Sequence, residues 1–445
     1  MTPILFTLVA IACLIGMLFL GIPIVVALGT ISVLGVAFLT GGFDAALGIL
    51  SNTAFEGVRD YVFAVIPLFM LMGEFIARSG AAEDLYLAIN RMLGRLPGRL
   101  AIATVGGNAV FAAVVGVSVA SAAAFSRIAY PAMTKAGYHR STALGCIAGS
   151  SALGMLIPPS VLMIVWGVVT QESIGALFIA GVIPGLLLAF LYAAFCLGYA
   201  MLRPERFGAA ATAAGRIAQR DVLADTPLKP EQWVGCLGCL ALIVLVLGGI
   251  WFGVFTPTEG AGVGVLLALA VALVKGMRLK GILESIAEAG RTAAPILLLL
   301  IFAQMYSRLL ALGGLGGAIQ DVVRDSGLTP GMIILMMAAV WFLLGMFIDS
   351  VSTILLTVPI FAPVAVALGI DPIAFALVGI LVIEAGIITP PFGLAVFTVK
   401  ASINDASVSL GQIFQGAAPY WIMLLGLATA VYHWPGIATW LPSVM

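Results

Sequence analysis

Two proline pairs carry the chemistry this chain is able to do. Pro158–Pro159 closes the stretch SSALGMLIPPS (Ser150–Ser160), and Pro390–Pro391 lies within IITPPFG (Ile387–Gly393). Both fall in runs apolar enough to form continuous helix. Proline removes a backbone donor there and leaves an upstream carbonyl without its helical partner. Freed carbonyls, with Ser and Thr hydroxyls, are hard oxygen ligands of the kind sodium accepts. The C-terminal end of a half-helix favours a cation, and the N-terminal end favours an anionic solute. A glycine precedes each pair (Gly154, Gly386), and upstream of each lies a Gly- and Ser-containing stretch, GVSVAS from Gly116 and GMFIDS from Gly345. Each half thus supplies a candidate cation site, in which a hairpin tip (Gly116–Ser121, or Gly345–Thr353) faces an unwound stretch (Gly154–Pro159, or Gly386–Pro391). A single break is adequately explained as a packed proline kink, whereas two matched sets favour function.

Few other residues offer chemistry. Asp349 sits between FLLGMFI and SVSTILL, and an ionisable group at membrane depth points to function. It either supports the second cation site, directly or by orienting a hydroxyl, or reaches back to the outer surface. Glu384 in ILVIEAGIITPP is open between site and structure. Glu259 in TPTEGAGVG opens a helix that Thr256 or Thr258 caps, a structural role. Arg127 and Arg308 either pair with acidic residues or meet a solute carboxylate. Cys236 and Cys239 form a CxxC with no second pair and no nearby histidine, which reads as structural. His139 and His433 lie outside the long apolar runs, and no GxxxxGK[ST] loop is present. Neither enzyme activity nor self-contained ATP hydrolysis is expected.

The elements that must hold these residues follow from composition. The 445 residues are 62% hydrophobic and 9% charged, with a mean hydropathy of +1.20. Soluble domains carry about a quarter charged residues, and apolar runs of about 18 or more mark spanning helices. The runs do not alternate at period two, which argues against a barrel. The prediction is an all-α polytopic membrane protein with about 10–12 transmembrane helices. Net charge is zero, so no basic face argues for nucleic acid. The first segment lacks a basic n-region and an A-x-A site, and is read as a retained helix.

Apolar segments are expected at about 4–20, 24–40 and 54–78, ahead of the first pair of broken elements. Residues 81–97 are too charged to span and suit an amphipathic helix on the cytoplasmic surface. The organisation expected is an N-terminal scaffold with its arm helix (1–98), a first repeat (99–202), a polar cytoplasmic loop (203–234), further scaffold (235–329) and a second repeat (330–445). Each repeat holds a re-entrant hairpin (99–137, 330–368) and a proline-broken helix (142–171, 372–400). Gly116 and Ser121 pair by spacing with Gly345 and Ser350, and Pro131 with Pro359. Lys and Arg flank 99–137 on both sides (Arg91, Arg95, Arg99; Lys135, Arg140), which places its ends in the cytoplasm. Three crossings before residue 78 then put the N-terminus outside, and the second hairpin starts from the outside. Inverted repeats of broken helices are a secondary-transporter architecture.

The chain resembles, over essentially its whole length, the large membrane subunit of TRAP (tripartite ATP-independent periplasmic) transporters. The matching stretches are GIPIVVALG, IPLFMLMGEFIARSG (Ile66–Gly80), SVASAAAFSRIAYPAMTKAGY (Ser118–Tyr138) and SSALGMLIPPS. They continue through TPTEGAG, GMFIDSVSTILLTVPIFAPV and IEAGIITPPFG. The resemblance implies elevator-type uptake driven by a sodium gradient in the bacterial inner membrane. It also implies a small four-helix membrane subunit and a periplasmic binding protein that delivers an organic acid. Carried onto this chain, one Na+ site would use Ser118, Ser121, Gly154, Ile157 and Pro159, largely through backbone oxygens. The other would use Gly345, Gly386, Thr389 and Phe392 with Asp349 close by. The solute would lie near Ser350, Ser352, Thr353, Pro158 and Pro390, with membrane lipid around the whole. This chain has Gly116-Val117 where the family often has Gly-Ser, and Ser126 where a glycine is usual. The alternative reading is a self-sufficient sodium–carboxylate symporter of the divalent-anion type.

Overall fold

The computed structural model describes residues 3–208, 230–317, 319, 327–403 and 405–445. Among these the chain is helical, apart from one antiparallel bridge between Tyr138 and Phe207. By length and composition nine of the described helical stretches are able to cross a membrane. Four shorter apolar helices accompany them, including Arg99–Val115 and Pro372–Gly386, which hairpins and proline breaks cut short. The chain is an all-α polytopic membrane protein.

The N-terminal part holds α1 (Pro3–Phe19), α2 (Ile24–Thr40), α3 (Phe43–Arg59), α4 (Val65–Ser79) and α5 (Ala81–Met92). The α3 helix departs from the sequence expectation of a single span over 54–78. Asp60 sets the boundary, because it leaves helical geometry and its carboxylate accepts the Val62 N–H at 3.0 Å to begin a new turn. The arm helix α5 buries Ala81, Ala82, Leu85, Tyr86 and Asn90 on one face. It is pinned by an ion pair between Asp84 and Lys275.

The first repeat runs through α6 (Arg99–Val115), α7 (Ser118–Lys135), α8 (Arg140–Ser151), the single turn α9 (Leu153–Leu156), α10 (Val161–Thr170) and α11 (Ile174–Leu202). Residues 209–229 of the polar loop lie outside the described residues. The chain continues with α12 (Pro230–Leu242), which starts before the expected residue 235 and runs into a π-helical turn at Ile243–Leu247. Then come α13 (Pro257–Val274) and α14 (Leu279–Leu312), followed by the second repeat: α15 (Pro330–Phe347), α16 (Ser350–Ala367), α17 (Pro372–Gly386), α18 (Leu394–Ser402) and α19 (Leu410–His433), with α20 (Gly436–Ser443) at the end.

Local chemistry sets several starts. Thr256 and Glu259 form a reciprocal capping box ahead of α13, with Pro257 at its first position. Glu259 is thus structural, as its sequence context indicated. Thr329 and Asp371 cap α15 and α17 by one-way side-chain bonds from the Met332 and Ala374 N–H groups, each cap followed by proline. Arg308 pairs with Glu56 on α3, which decides its role in favour of an acidic partner.

The two repeats interlock. The return helix of the first hairpin, α7, packs on α18, beyond the second break. The return helix of the second, α16, packs on α10, beyond the first break. Helix α19 lies against both α8 and α17, and Gly145 and Gly416 there meet backbone to backbone. Trp166 on α10 and Trp341 on α15 meet at 5.8 Å between ring centroids, with Phe375 of α17 against both. Gly379 leaves the space they occupy, since a Cβ there would lie 2.7 Å from the Trp166 ring.

Candidate functional site

Each hairpin tip is two residues long; the first sits directly on its proline break, and the second is joined to its break through the last turn of α15. In the first half, Gly116 takes a left-handed conformation (φ 67°) and Val117 is extended, and Ser118 starts the return helix. The break follows α9: Ile157 is extended, the Pro158–Pro159 bond is cis, and Ser160 caps α10. Tip and break touch. The Gly116 carbonyl accepts the Val161 N–H at 3.2 Å, and a Cβ on Gly116 would collide with the Pro159 carbonyl. A Cβ on Gly154 would lie 3.0 Å from the Ser118 backbone, so glycine is what lets the strand of chain before the break approach the tip.

The second half repeats the plan. Ile348 and Asp349 form the tip and Ser350 starts α16. Past α17, Thr389 N–H donates to the Gly386 carbonyl at 2.9 Å, Pro390–Pro391 is cis, and Gly393 (φ 56°) starts α18. The Gly393 N–H donates to the Met346 carbonyl at 3.1 Å. A constant shift in numbering that carries Pro158 onto Pro390 also carries Gly154 onto Gly386, Ser118 onto Ser350 and Pro131 onto Pro363. The structural partners of Ser350 and Pro131 are therefore Ser118 and Pro363, not the Ser121 and Pro359 expected from spacing. Gly345 matches Ala113.

The structure places the candidate residues of the first site together. Ser118, Ser121 and Gly154 are fully buried, and Ile157, Pro158 and Pro159 are buried beside them. Ser121 Oγ has no partner, and neither does Asn108 Oδ1, although Asn108 Nδ2 donates to Ser150 Oγ at 2.7 Å. Buried polar atoms without partners also occur away from this site, at Ser32, Asn90 and Ser285 among others.

The second set is more open. Gly345 and Gly386 are buried against one another, and Thr389 Oγ1 donates to the Ala385 carbonyl at 2.7 Å, which leaves its lone pairs unengaged. Asp349 is exposed and caps α16, its Oδ1 accepting the Ser352 N–H at 2.9 Å while its carbonyl accepts from Thr353. Ser350, Ser352 and Thr353 are buried, while Pro390, Pro391 and Phe392 are exposed and Phe392 stacks on Phe397 at 5.3 Å. Both donor sets are oxygens. Among the described residues no group of three His, Cys, Asp or Glu is arranged to hold a metal.

The sequence leaves the role of Glu384 open between site and structure. Its Oε2 accepts from Ser118 Oγ at 2.6 Å and its Oε1 from Ser350 Oγ at 2.8 Å. The two tips thus converge on one carboxylate. The apolar run around it gave no sign of these partners, which come from two other helices.

A cleft of about 570 Å³ opens where α3 meets α4, beside the end of α10 and along α14. Its walls include Arg59, Tyr61, Gln171, Gln304 and Arg308.

Comparison with known proteins agrees with this architecture. Residues 11–437 match the family described as "Tripartite ATP-independent periplasmic transporter, DctM component". The chain is 34% identical to the C4-dicarboxylate TRAP transporter large permease protein DctM of Pseudomonas aeruginosa, over 88% of this chain and 89% of that one. It is 30% identical to the ectoine TRAP transporter large permease protein TeaC of Halomonas elongata, over 98% of both. Among solved structures, the YdaH transporter of Alcanivorax borkumensis shares the fold with a TM-score of 0.59 at 16% identity, covering 88% of this chain and 89% of that one. The chain belongs to the DctM component family of tripartite ATP-independent periplasmic transporters, as a large permease and a multi-pass protein of the bacterial inner membrane.

Proposed function

We propose that this chain is the large subunit of a sodium-gradient-driven uptake system for a carboxylate solute, delivered by a separate periplasmic binding protein. The observation that carries this reading is the pairing of two hairpin tips with two broken helices, each lined by oxygens and one holding orphaned buried acceptors. One sodium ion is held by the Ser121 and Ser118 hydroxyls with the carbonyls of Gly154, Ile157 and Pro159. A second is held by the carbonyls of Gly345, Gly386 and Phe392 with Thr389, and Asp349 orients the tip by capping α16. The 570 Å³ cleft, where Arg59, Gln171 and Gln304 stand beside Asp60 and the Glu56–Arg308 ion pair, gives a solute polar groups on its path. Relatives named for C4-dicarboxylates and for ectoine share this scaffold.

The interlocked repeats move as one body against the scaffold helices α2, α4, α13 and α14, which pack on one another. A small four-helix membrane subunit braces that scaffold in an elevator motion. The experiment is reconstitution of the chain, its small subunit and its binding protein in liposomes. An inward sodium gradient should drive uptake, and choline in its place should abolish it. Equal uptake in choline would remove sodium coupling. Uptake of free solute without the binding protein would favour the self-sufficient symporter.

A further inference from the structure

Glu384 lies two residues before Gly386 and is 1% exposed. Its two oxygens accept from Ser118 Oγ and Ser350 Oγ, at 2.6 Å and 2.8 Å. Those serines are the first residues of α7 and α16, each 18 residues long. One buried carboxylate from the second broken helix is therefore set between the N-termini of both return helices. Among the described residues no lysine, arginine or histidine forms an ion pair with it.

An isolated buried carboxylate is costly. A helix N-terminus carries about half a positive charge, so two of them together are equivalent to about one. Asp349 already caps the α16 end, so the α7 end is the one left to Glu384. The α7 terminus has need of it, because Val117 before it provides no side-chain cap.

We propose that Glu384 is the counter-charge shared by the two candidate cation sites. It is a positioning residue that holds both hairpin tips at one spacing and eases the placing of a cation beside either. Ser118 belongs to the first candidate site and Gly386 to the second, so the charge stands next to both. The proposal rests on the sodium-coupled reading above.

The test uses the complete system in proteoliposomes and reads the sodium concentration for half-maximal uptake. Glu384→Gln keeps the shape and loses the charge, and should raise that concentration on the order of tenfold. Glu384→Asp keeps the charge with a shorter reach, so maximal uptake should fall while the sodium half-saturation stays close to wild type. A second readout does not need transport: the rise in thermal midpoint of the purified chain with its small subunit in sodium over choline. That rise should persist in the Asp variant and require on the order of tenfold more sodium in the Gln variant. A Gln variant matching wild type in both readouts would overturn the proposal. So would Asp and Gln variants that lose the sodium response equally, the pattern of a packing role. A wild type indifferent to sodium in both readouts would remove the sodium reading itself, and this proposal with it.

Discussion

Gly345 and Gly386 meet with no side chain between them. A Cβ on Gly386 would lie 2.7 Å from the Phe342 carbonyl oxygen and 2.8 Å from Gly345 Cα, and one on Gly345 would lie 2.7 Å from the Ile383 carbonyl. Both obstacles are backbone, which cannot swing away. The second hairpin can therefore approach the unwound end of its broken helix only because both positions are glycine.

Gly386→Ala should accordingly cost about 1–3 kcal/mol, the range for overpacking a tight contact. Thermal or denaturant unfolding of the purified protein reads it. Gly262→Ala, on α13 with nothing within 4 Å of its added Cβ, is the control and should be neutral or stabilising by up to about 1 kcal/mol. Equal effects at the two positions would contradict the packing argument.

Ser121 Oγ is buried without a partner. Ser121→Ala should leave stability in choline nearly unchanged, since no hydrogen bond is lost. If this hydroxyl ligates sodium, the variant should lose about 1.5–3 kcal/mol of sodium binding, roughly a tenfold to hundredfold rise in half-saturation. Titrating uptake against sodium distinguishes the two effects.

Asp84 and Lys275 form an ion pair whose side chains are 8% and 11% exposed. Burial raises the Asp84 carboxyl above its ordinary range, with the Lys275 hydrogen bond and charge acting against that rise. Lys275→Met strands a buried acid and should destabilise by about 3–5 kcal/mol, whereas Lys275→Met combined with Asp84→Leu should recover much of the loss. Detachment of α5 is the structural consequence, and hydrogen exchange in Ala81–Met92 detects it.

Asp405 takes hydrogen bonds from the Ser407 hydroxyl and from Tyr130 Oη on α7, the latter at 3.0 Å, with Arg140 at 3.6 Å. The Ser407 hydroxyl first, and then Tyr130, hold its carboxyl below the ordinary aspartate value. A depressed acid contributes stability that is fully present above about pH 4 and is lost as pH falls through its lowered value. The clasp between the first hairpin and the α18–α19 link should therefore loosen only in acid. Hydrogen exchange at the start of α19 should show that acid transition in the wild type and lack it in Asp405→Asn.

Much of the architecture was legible because proline and glycine act locally. Pro158–Pro159 and Pro390–Pro391 interrupt helices wherever they fall, and Thr256 with Glu259 spells a cap on its own. Helix α3 was obscured because Asp60 breaks the chain inside a run that hydropathy alone treats as continuous. Spacing from a glycine pairs Ser350 with Ser121 rather than Ser118, since equal spacing carries no information about where a helix begins. Glu384 could not be assigned from its neighbours, because both of its partners lie on other helices and only the folded chain brings them within reach. Arg308 likewise needed α3 in place before its pairing with Glu56 had meaning.

The shift that superposes the two halves sets Ala152 opposite Glu384, and Val117 opposite Asp349. The halves are alike in backbone and unlike in charge, with both acids on one side. Two copies of the first half, assembled as a symmetric pair, would bring two serine-led helix ends together with only alanine methyls between them. Two copies of the second would crowd a pair of acids into the same buried space. Only two unlike halves give a single acid between two helix ends. The folded chain thus holds one buried acid between two serine-led helix ends, an arrangement that neither half repeated would give.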